Sequence, residues 1–465
     1  MSFDPMPTLR SIAPYLSDWA SFQAEYRGVV GFQLAVARGD ELLVNHAWGE
    51  ANAETGEKLT TDHLFRIASH SKTMTSVLVF RLVERGALRL DDTIGQHITE
   101  LAESPVAPVT IRELLGHQGG IIRDSSDGDF WQRHHDFLDR EEVIDVARRE
   151  AVVFEPNLHF KYTNIGYSLL GLILESAGGA SYQQLCEEHL VQPLGLTHSG
   201  AEYDPERAEE YAAGHTGLIT PTDPRRVVPH VDTRGMAAAT GWYSTAADLT
   251  RYGAAHVMGN ESLISDASKR LMQRQESTIA VRGREVGRYG LGLALDKVGD
   301  RELVGHSGGY PGHITITFID PKDGLVVSVL TNAVDGPAGA LARGVIQLID
   351  LAIKAAQEEP ELVPEDLRFS GRFAYLWGVF DVTDLGGILH MINPRLPDPA
   401  QASSRIQVKD GRLIHEEVPG FANPGEPVRV TRDDAGQIRS VRFGAQSTWP
   451  IENYRAYRDE RTLSE

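Results

Sequence analysis

The sequence predicts a mixed α/β fold: a largely antiparallel sheet flanked by helices, with a helical subdomain inserted, followed by a small antiparallel β domain. Three observations predict it. A strand hairpin opens the main region, helical periodicity takes over in its middle, and strand-like runs resume late, ahead of an acidic, proline-bearing stretch and a turn-rich tail. With 465 residues, 41% hydrophobic and 24% charged, the chain is long enough for two or three domains and a sizeable core.

Val29 to Ala37 and Glu41 to Trp48 read as strands joined at Arg38-Gly39-Asp40. Met74 to Val83 is apolar almost all round before Gly86 ends the run, which reads as a buried helix with Ser69 in its first turn. Helical segments follow at Thr110 to Leu115, Arg140 to Arg149 and Ile165 to Ser176. Ala201 to Gly235, rich in Pro, Asp, Arg and Gly, reads as a long surface connection of the kind that borders active sites. Thr245 to Met258 reads as a helix, and strands are expected at Gly290 to Asp296, His313 to Phe318 and Leu325 to Thr331. Pro337 suits the first turn of a helix to Ala356. The expected organisation is a main domain over 1–356 with its helical insert at about 91–235, a linker at 357–366 carrying Pro360 and Pro364, and a β domain over 367–465.

A net charge of -20 argues against nucleic acid or an anionic membrane as a partner. The single cysteine, Cys186, excludes an intrachain disulfide and a multi-cysteine metal site, and fits a reducing compartment. Met1 to Tyr26 lacks a basic region followed by an apolar core, so the expected location is cytoplasmic. His117, His134, His135 and His215 lack the helix spacing of a zinc site and read as polar surface histidines, so no metal is expected. Self-association is left open.

The chemistry is concentrated in three short segments. In Ser69-His70-Ser71-Lys72 the serine and lysine share one helix face, and a buried Lys72 loses its proton more easily, so it can accept the Ser69 hydroxyl proton. Tyr162-Thr163-Asn164 precedes the helix at Ile165. A lysine ammonium nearby favours the Tyr162 anion, and the Asn164 amide suits a bond to Lys72 and to a substrate carbonyl. The alternative is that Asn164 caps the helix and Tyr162 packs in the core. Gly305-His306-Ser307-Gly308-Gly309 lets a strand approach substrate closely, with the Gly309 N–H paired to that of Ser69 as an oxyanion hole. The same pentapeptide fits Gly-x-Ser-x-Gly, the nucleophile elbow of α/β-hydrolases, but the strand-turn-helix context fails, His313 is too close to serve, and His390 and His415 fall in the expected C-terminal domain.

Taken in order, Ser69-x-x-Lys72, Tyr162-x-Asn164 and His306-Ser307-Gly308 resemble the three motifs of the serine β-lactamase and penicillin-binding-protein superfamily, specifically its class C β-lactamase-like branch of peptidases, esterases and amidases. Leu64 to Ala68, Ile111 to His117, Pro193-Leu194-Gly195-Leu196 and Tyr243 to Asp248 support it, so that the resemblance covers roughly residues 10–350. It implies a β-lactamase/transpeptidase-like fold, with Ser69 as acylated nucleophile, Lys72 and Tyr162 as acid/base partners, and Asn164 as a substrate-positioning group; His306, Gly308 and Gly309 are the further candidate substrate-binding positions. Gln132 falls at about the interval before Tyr162 of a family pocket-lining residue. The tail resembles the small β-barrel domains appended to some branch members.

The third motif of β-lactamases and cell-wall carboxypeptidases usually begins with Lys; here it begins with His306, mostly neutral at cytoplasmic pH and a weaker attractor of a substrate carboxylate. The expectation is a cofactor-free serine hydrolase cleaving an ester or amide bond in a small molecule or peptide through a Ser69 acyl-enzyme. The alternatives are a β-lactamase or D-Ala-D-Ala carboxypeptidase, an acyltransferase, and a non-hydrolytic sensor of peptides or β-lactams.

Overall fold

A computed structural model describes residues 3–358, 363–401, 403–417 and 423–462. The chain divides into two compact units, one formed by Val29–Ala342 and the other by Met1–Gly28 together with Arg343–Glu465.

The first unit is built on a nine-stranded sheet of β1 (Gly31–Arg38), β2 (Glu41–Asn52), β3 (Glu57–Lys58), β4 (Ser277–Val281), β5 (Arg284–Tyr289), β6 (Ala294–Val298), β7 (Arg301–Tyr310), β8 (His313–Ile319) and β9 (Leu325–Thr331). Its order is β3-β2-β1-β9-β8-β7-β6-β5-β4, and every pairing given is antiparallel. The early hairpin therefore joins the late strands through β1 and β9, with Phe32 opposite Thr331 and Arg38 opposite Leu325. These two central strands are near-continuous apolar runs and are buried almost throughout. The helix Ala246–Ala254, capped by the Thr245 hydroxyl accepting the Asp248 N–H at 3.2 Å, packs on β1, β8 and β9. The contact is close: a Cβ at Gly253 would lie 2.6 Å from Val326.

Between β3 and β4 lies the helical part. Its helices Ser71–Glu84, Ile111–Leu115, Arg140–Arg149 and Asn164–Gly178 share one apolar core. Thr110 and Asp139 each open their helix with a capping box, which explains why these two starts are legible from sequence. The long connection carries only short elements, among them the strand pair Gly214–His215 and Val227–Val228.

Three local features differ from expectation. Ser69 lies in a 3-10 turn, Ala68–His70, and the α-helix begins after it at Ser71. Strands β4 and β5 form an unexpected hairpin across Arg282 and Gly283, both at positive φ. His117 and His215, expected at the surface, are completely buried, whereas His134 and His135 are exposed. Burial of His215 is compensated: its Nδ1–H donates to the Asn332 carbonyl at 2.8 Å and its Nε2 accepts the Ala53 N–H at 3.1 Å.

In the second unit, the 22-residue helix Met6–Arg27 buries Leu9, Ile12, Leu16, Trp19, Ala20 and Ala24. Trp19 lies over Gly344 of the helix Ala338–Gln357, where a Cβ would meet its ring at 2.1 Å. Eight strands from Gly371–Tyr375 to Gln446–Pro450 pair in chain order, and the last pairs with the first. An Ile414–Pro427 bridge links the two remaining edges, making an up-and-down barrel. Among the described residues, no helix is long and apolar enough to cross a membrane.

Candidate active site

Ser69 follows Ala68, which holds φ 44°, a left-handed conformation uncommon outside glycine, asparagine and aspartate. Side chains buried around the turn fix it there. Ser71 Oγ donates to the Ala68 carbonyl at 2.5 Å and accepts the Trp242 N–H at 3.1 Å. The His70 ring, also buried, is 3.1 Å from the Ile67 carbonyl through Nδ1 and 3.1 Å from Thr317 Oγ1 through Nε2. Strand β7 presses on the same turn: a Cβ at Gly308 would lie 2.1 Å from the Ile67 oxygen, so any residue but glycine would push the strand away.

Lys72 is one turn further on and fully buried. Its Nζ lies 3.2 Å from Ser69 Oγ, 2.8 Å from Asn164 Oδ1 and 2.8 Å from the Ala239 carbonyl. Burial pushes the Lys72 ammonium well below its ordinary range; Asp124 opposes this shift and Arg123 reinforces it. A neutral amine has two N–H groups and one lone pair. Two of the three neighbours, Asn164 Oδ1 and the Ala239 carbonyl, only accept, so a neutral Lys72 spends both hydrogens on them and turns its lone pair to the Ser69 hydroxyl.

The Tyr162 hydroxyl donates to Ser69 Oγ at 2.8 Å, and its ring lies 4.8 Å below Lys72 Nζ. Burial raises the phenol above its ordinary value, and the Ser69 bond and Arg123 only partly offset this. The expectation of a favoured Tyr162 anion is thus reversed, because desolvation of the buried phenol outweighs the influences that lower its pKa. The helix after Tyr162 is capped by Thr163, whose hydroxyl accepts the Gly166 N–H at 2.8 Å, so Asn164 is released from a capping role. Its Nδ2 donates to Asp124 Oδ1 at 2.7 Å, which also accepts the Trp131 indole N–H at 3.0 Å. The carboxylate thereby sets which end of the Asn164 amide faces Lys72.

His306 is buried beside this cluster. Its Nδ1–H donates to the Ser307 carbonyl at 2.6 Å, leaving Nε2 to accept the Tyr289 hydroxyl at 3.0 Å. Burial, with the nearby Lys72 second, lowers its pKa to about 3. The ring is thus neutral and both nitrogens are occupied. His117 fills the space between Tyr162, Tyr167 and Tyr289, with ring centroids at 4.3, 5.1 and 4.9 Å, and its Nδ1 accepts the Thr163 N–H at 3.2 Å.

Gly309 lies on the open part of β7. The two-residue turn Pro311-Gly312 makes Tyr310 and His313 opposing partners, so His306, Gly308 and Tyr310 bond toward β8 while Ser307 and Gly309 face the other edge. Strand β6 pairs with that edge only as far as Gly305. Gln132, in contrast, is exposed at the end of the turn Asp129–Gln132, and it is Asp124 that meets Asn164. A cavity of about 630 Å³ is lined by Phe130, Arg133, Tyr203, His230, Val231 and neighbours. Its walls adjoin the cluster: Tyr310, next to Gly309, donates its hydroxyl to the Val231 carbonyl at 3.1 Å.

Asp124, Tyr289 and the Ala239 carbonyl were not anticipated. Asp124 lies in an acidic loop, Arg123-Asp124-Ser125-Ser126-Asp127, in which nothing distinguishes it from Asp127, and a carbonyl leaves no trace in sequence. Among the described residues, no group of three or more His, Cys, Asp or Glu side chains is placed to hold a metal ion.

The fold and this cluster define a class, and comparison with known proteins agrees. The family model named Beta-lactamase matches residues 19–351. Penicillin-binding protein 4 of Amycolatopsis lactamdurans is 32% identical over 65% of this chain and 81% of its own length. Penicillin-binding protein 4* of Bacillus subtilis is 29% identical over 62% of this chain, and the match spans 66% of that protein. The match to β-lactamase-like protein 2 of Dictyostelium discoideum spans 46% of it. Among solved structures, the octameric penicillin-binding protein homologue from Pyrococcus abyssi aligns with a TM-score of 0.63 at 21% identity, covering 94% of this chain and 99% of that one. D-amino acid amidase from Ochrobactrum anthropi aligns with a TM-score of 0.60 at 26% identity, covering 74% and 99%. The chain belongs to the Beta-lactamase family, within the superfamily of serine β-lactamases and penicillin-binding proteins.

Proposed function

We propose that this chain is a serine hydrolase that cleaves amide or peptide bonds in small aminoacyl substrates, and esters of the same acyl groups, through an acyl-enzyme on Ser69. One observation carries the reading: Ser69 Oγ is met at once by Lys72 Nζ at 3.2 Å and by the Tyr162 hydroxyl at 2.8 Å, an amine whose pKa burial lowers and a phenol whose pKa burial raises. As Oγ attacks the carbonyl, its proton passes to Lys72, and the oxyanion is held by the N–H groups of Ser69 and Gly309. The Tyr162 hydroxyl protonates the departing amine or alkoxide, and the Lys72 ammonium restores the phenol. Water entering in place of the leaving group gives its proton to the same pair, and Ser69 is released. Transfer to an alcohol or amine uses identical steps.

The substrate class is supported by two features. His306 carries no charge, and both its nitrogens are engaged, so it offers no anchor for the carboxylate that a β-lactam or a peptide C-terminus presents. The similarity to D-amino acid amidase extends over nearly the whole of that protein, which makes aminoacyl amides the first substrates to assay. Intact-mass analysis with product release, using D- and L-aminoacyl anilides, p-nitrophenyl esters and a chromogenic cephalosporin, tests the reading. Release from anilides that vanishes in Ser69→Ala supports it; rapid cephalosporin turnover with inert anilides overturns the substrate class, and a stable adduct without turnover makes the chain a sensor.

A further inference from the structure

We propose that one end of the C-terminal barrel binds a small, uncharged aromatic molecule carrying a single hydroxyl or amide group. A cavity of about 400 Å³ lies there, lined by Tyr375, Trp377, Phe380, Met391, His415 and Phe443, with Asn423, Gln446 and Thr448 completing it. That volume is in the range of small-molecule sites, and an eight-stranded barrel has room inside for one such ligand. The rest of the interior is closed: Phe373, Val382, Leu389, Ile406 and Val441 pack there with almost no exposure.

Three features point to an occupant. The hairpin between Tyr375 and Gly378 turns on Leu376 and Trp377, 79% and 73% exposed, where two-residue turns ordinarily take Gly, Asn or Asp. An indole so exposed, and lining the cavity, is available to cover a ligand. His415 is 7% exposed; its Nε2 lies 2.8 Å from Ser404 Oγ, while Nδ1 is buried with no hydrogen-bond partner among the described residues. The other polar groups deeper in the cavity are committed, the Thr448 hydroxyl to the Val441 carbonyl at 2.8 Å and the Asn423 amide to that of Phe443 at 3.0 Å. His415 Nδ1 is therefore the atom a ligand hydroxyl or amide would satisfy. Among the described residues, no Lys, Arg, Asp or Glu lines the cavity, which favours a neutral ligand.

Fluorescence titration of the whole chain with N-phenyl-1-naphthylamine, a neutral probe carrying one N–H, tests the site. Saturable 1:1 binding is expected, unchanged in Ser69→Ala, with 2-naphthol displacing the probe about tenfold better than naphthalene, the value of one net hydrogen bond. His415→Leu should erase that tenfold preference while leaving naphthalene affinity in place. Gln446→Trp, at the mouth, and Met391→Trp, in the wall, should each abolish binding at unchanged far-ultraviolet circular dichroism. Absence of saturable binding to the parent chain overturns the proposal, whatever the variants do. So does binding that survives either tryptophan in a folded variant, or that is lost in Ser69→Ala.

Discussion

Lys72 and Lys269 are both fully buried, and the groups that meet them differ. Lys269 Nζ meets two carbonyls, those of Val257 at 2.7 Å and Asn260 at 2.5 Å, and the Asp266 carboxylate at 2.7 Å. Lys72 meets a carbonyl, a neutral amide and a hydroxyl, with the nearest carboxylate, Asp124, held one amide away behind Asn164. A carboxylate thus touches the buried amine at Lys269, whereas at Lys72 the carboxylate is set back and burial lowers the pKa. The fold places the same residue type in both settings.

Removal of each lysine has the largest expected effect. Lys72→Ala should lower kcat for an anilide by about 10⁴-fold with little change in melting temperature, since members of a catalytic unit fail together. Lys269→Met should do the reverse, lowering the melting temperature while the folded enzyme keeps its kcat. Steady-state kinetics beside thermal melts separates the two. Tyr162→Phe removes the acid but leaves the base, and a loss of about 10²- to 10³-fold is expected, smaller for esters than for anilides because an alkoxide needs less help to leave.

Asn164→Asp gives Lys72 the kind of partner that Lys269 has. A carboxylate at that contact favours the ammonium, so activity at pH 7 should fall about 10- to 100-fold and recover as pH rises. Asp124→Asn acts in the opposite direction. The Asp124 charge raises the Lys72 pKa, so its removal lets the proton leave more easily and moves the acidic limb of kcat/KM to lower pH. The other groups near Lys72 are Arg123, His117, His306, Tyr162 and Tyr167, and none of them changes charge sign in this variant. A limb that stays in place would mean that another group titrates there.

A further effect is expected on stability. Burial lowers His70 to about 4 and His306 to about 3 in the folded chain, against about 6.5 unfolded. Between those values the unfolded state binds more protons, so the stability of neutral His is present above pH 6.5 and is lost as pH falls toward 4. Each histidine contributes up to about 1.4 kcal/mol per pH unit in that window. Urea denaturation at pH 7 and pH 5 should show the decrease, and His306→Gln should make it shallower.

How far the fold was legible depended on how local its signals are. The capped helices at Ile111 and Arg140 and the apolar strands β1 and β9 carry their own patterns. The helix Met6–Arg27 repeats apolar residues every three or four positions, from Leu9 through Ile12 and Leu16 to Trp19, but Pro14 inside it reads as a breaker. Strands β4 and β5 are mostly exposed, and β4 runs Ile279-Ala280-Val281 without a polar break, so no alternation announces them. His117 and His215 looked like surface residues because polarity says nothing about the backbone groups and rings that wait for them.

Order and residue type along the chain determined the mixed α/β fold, the family, and the pairing of Ser69 with Lys72, because three-residue spacing at the start of a helix is a local geometric fact. The tertiary structure alone decided which groups carry protons. Whether Lys72 is a base, Tyr162 an acid and His306 a neutral strut depends on desolvation by segments as distant as Ala239 and Tyr289, and on the set-back of Asp124 behind Asn164. Charge states follow from burial and from which dipoles surround a group, and neither exists until the chain has folded.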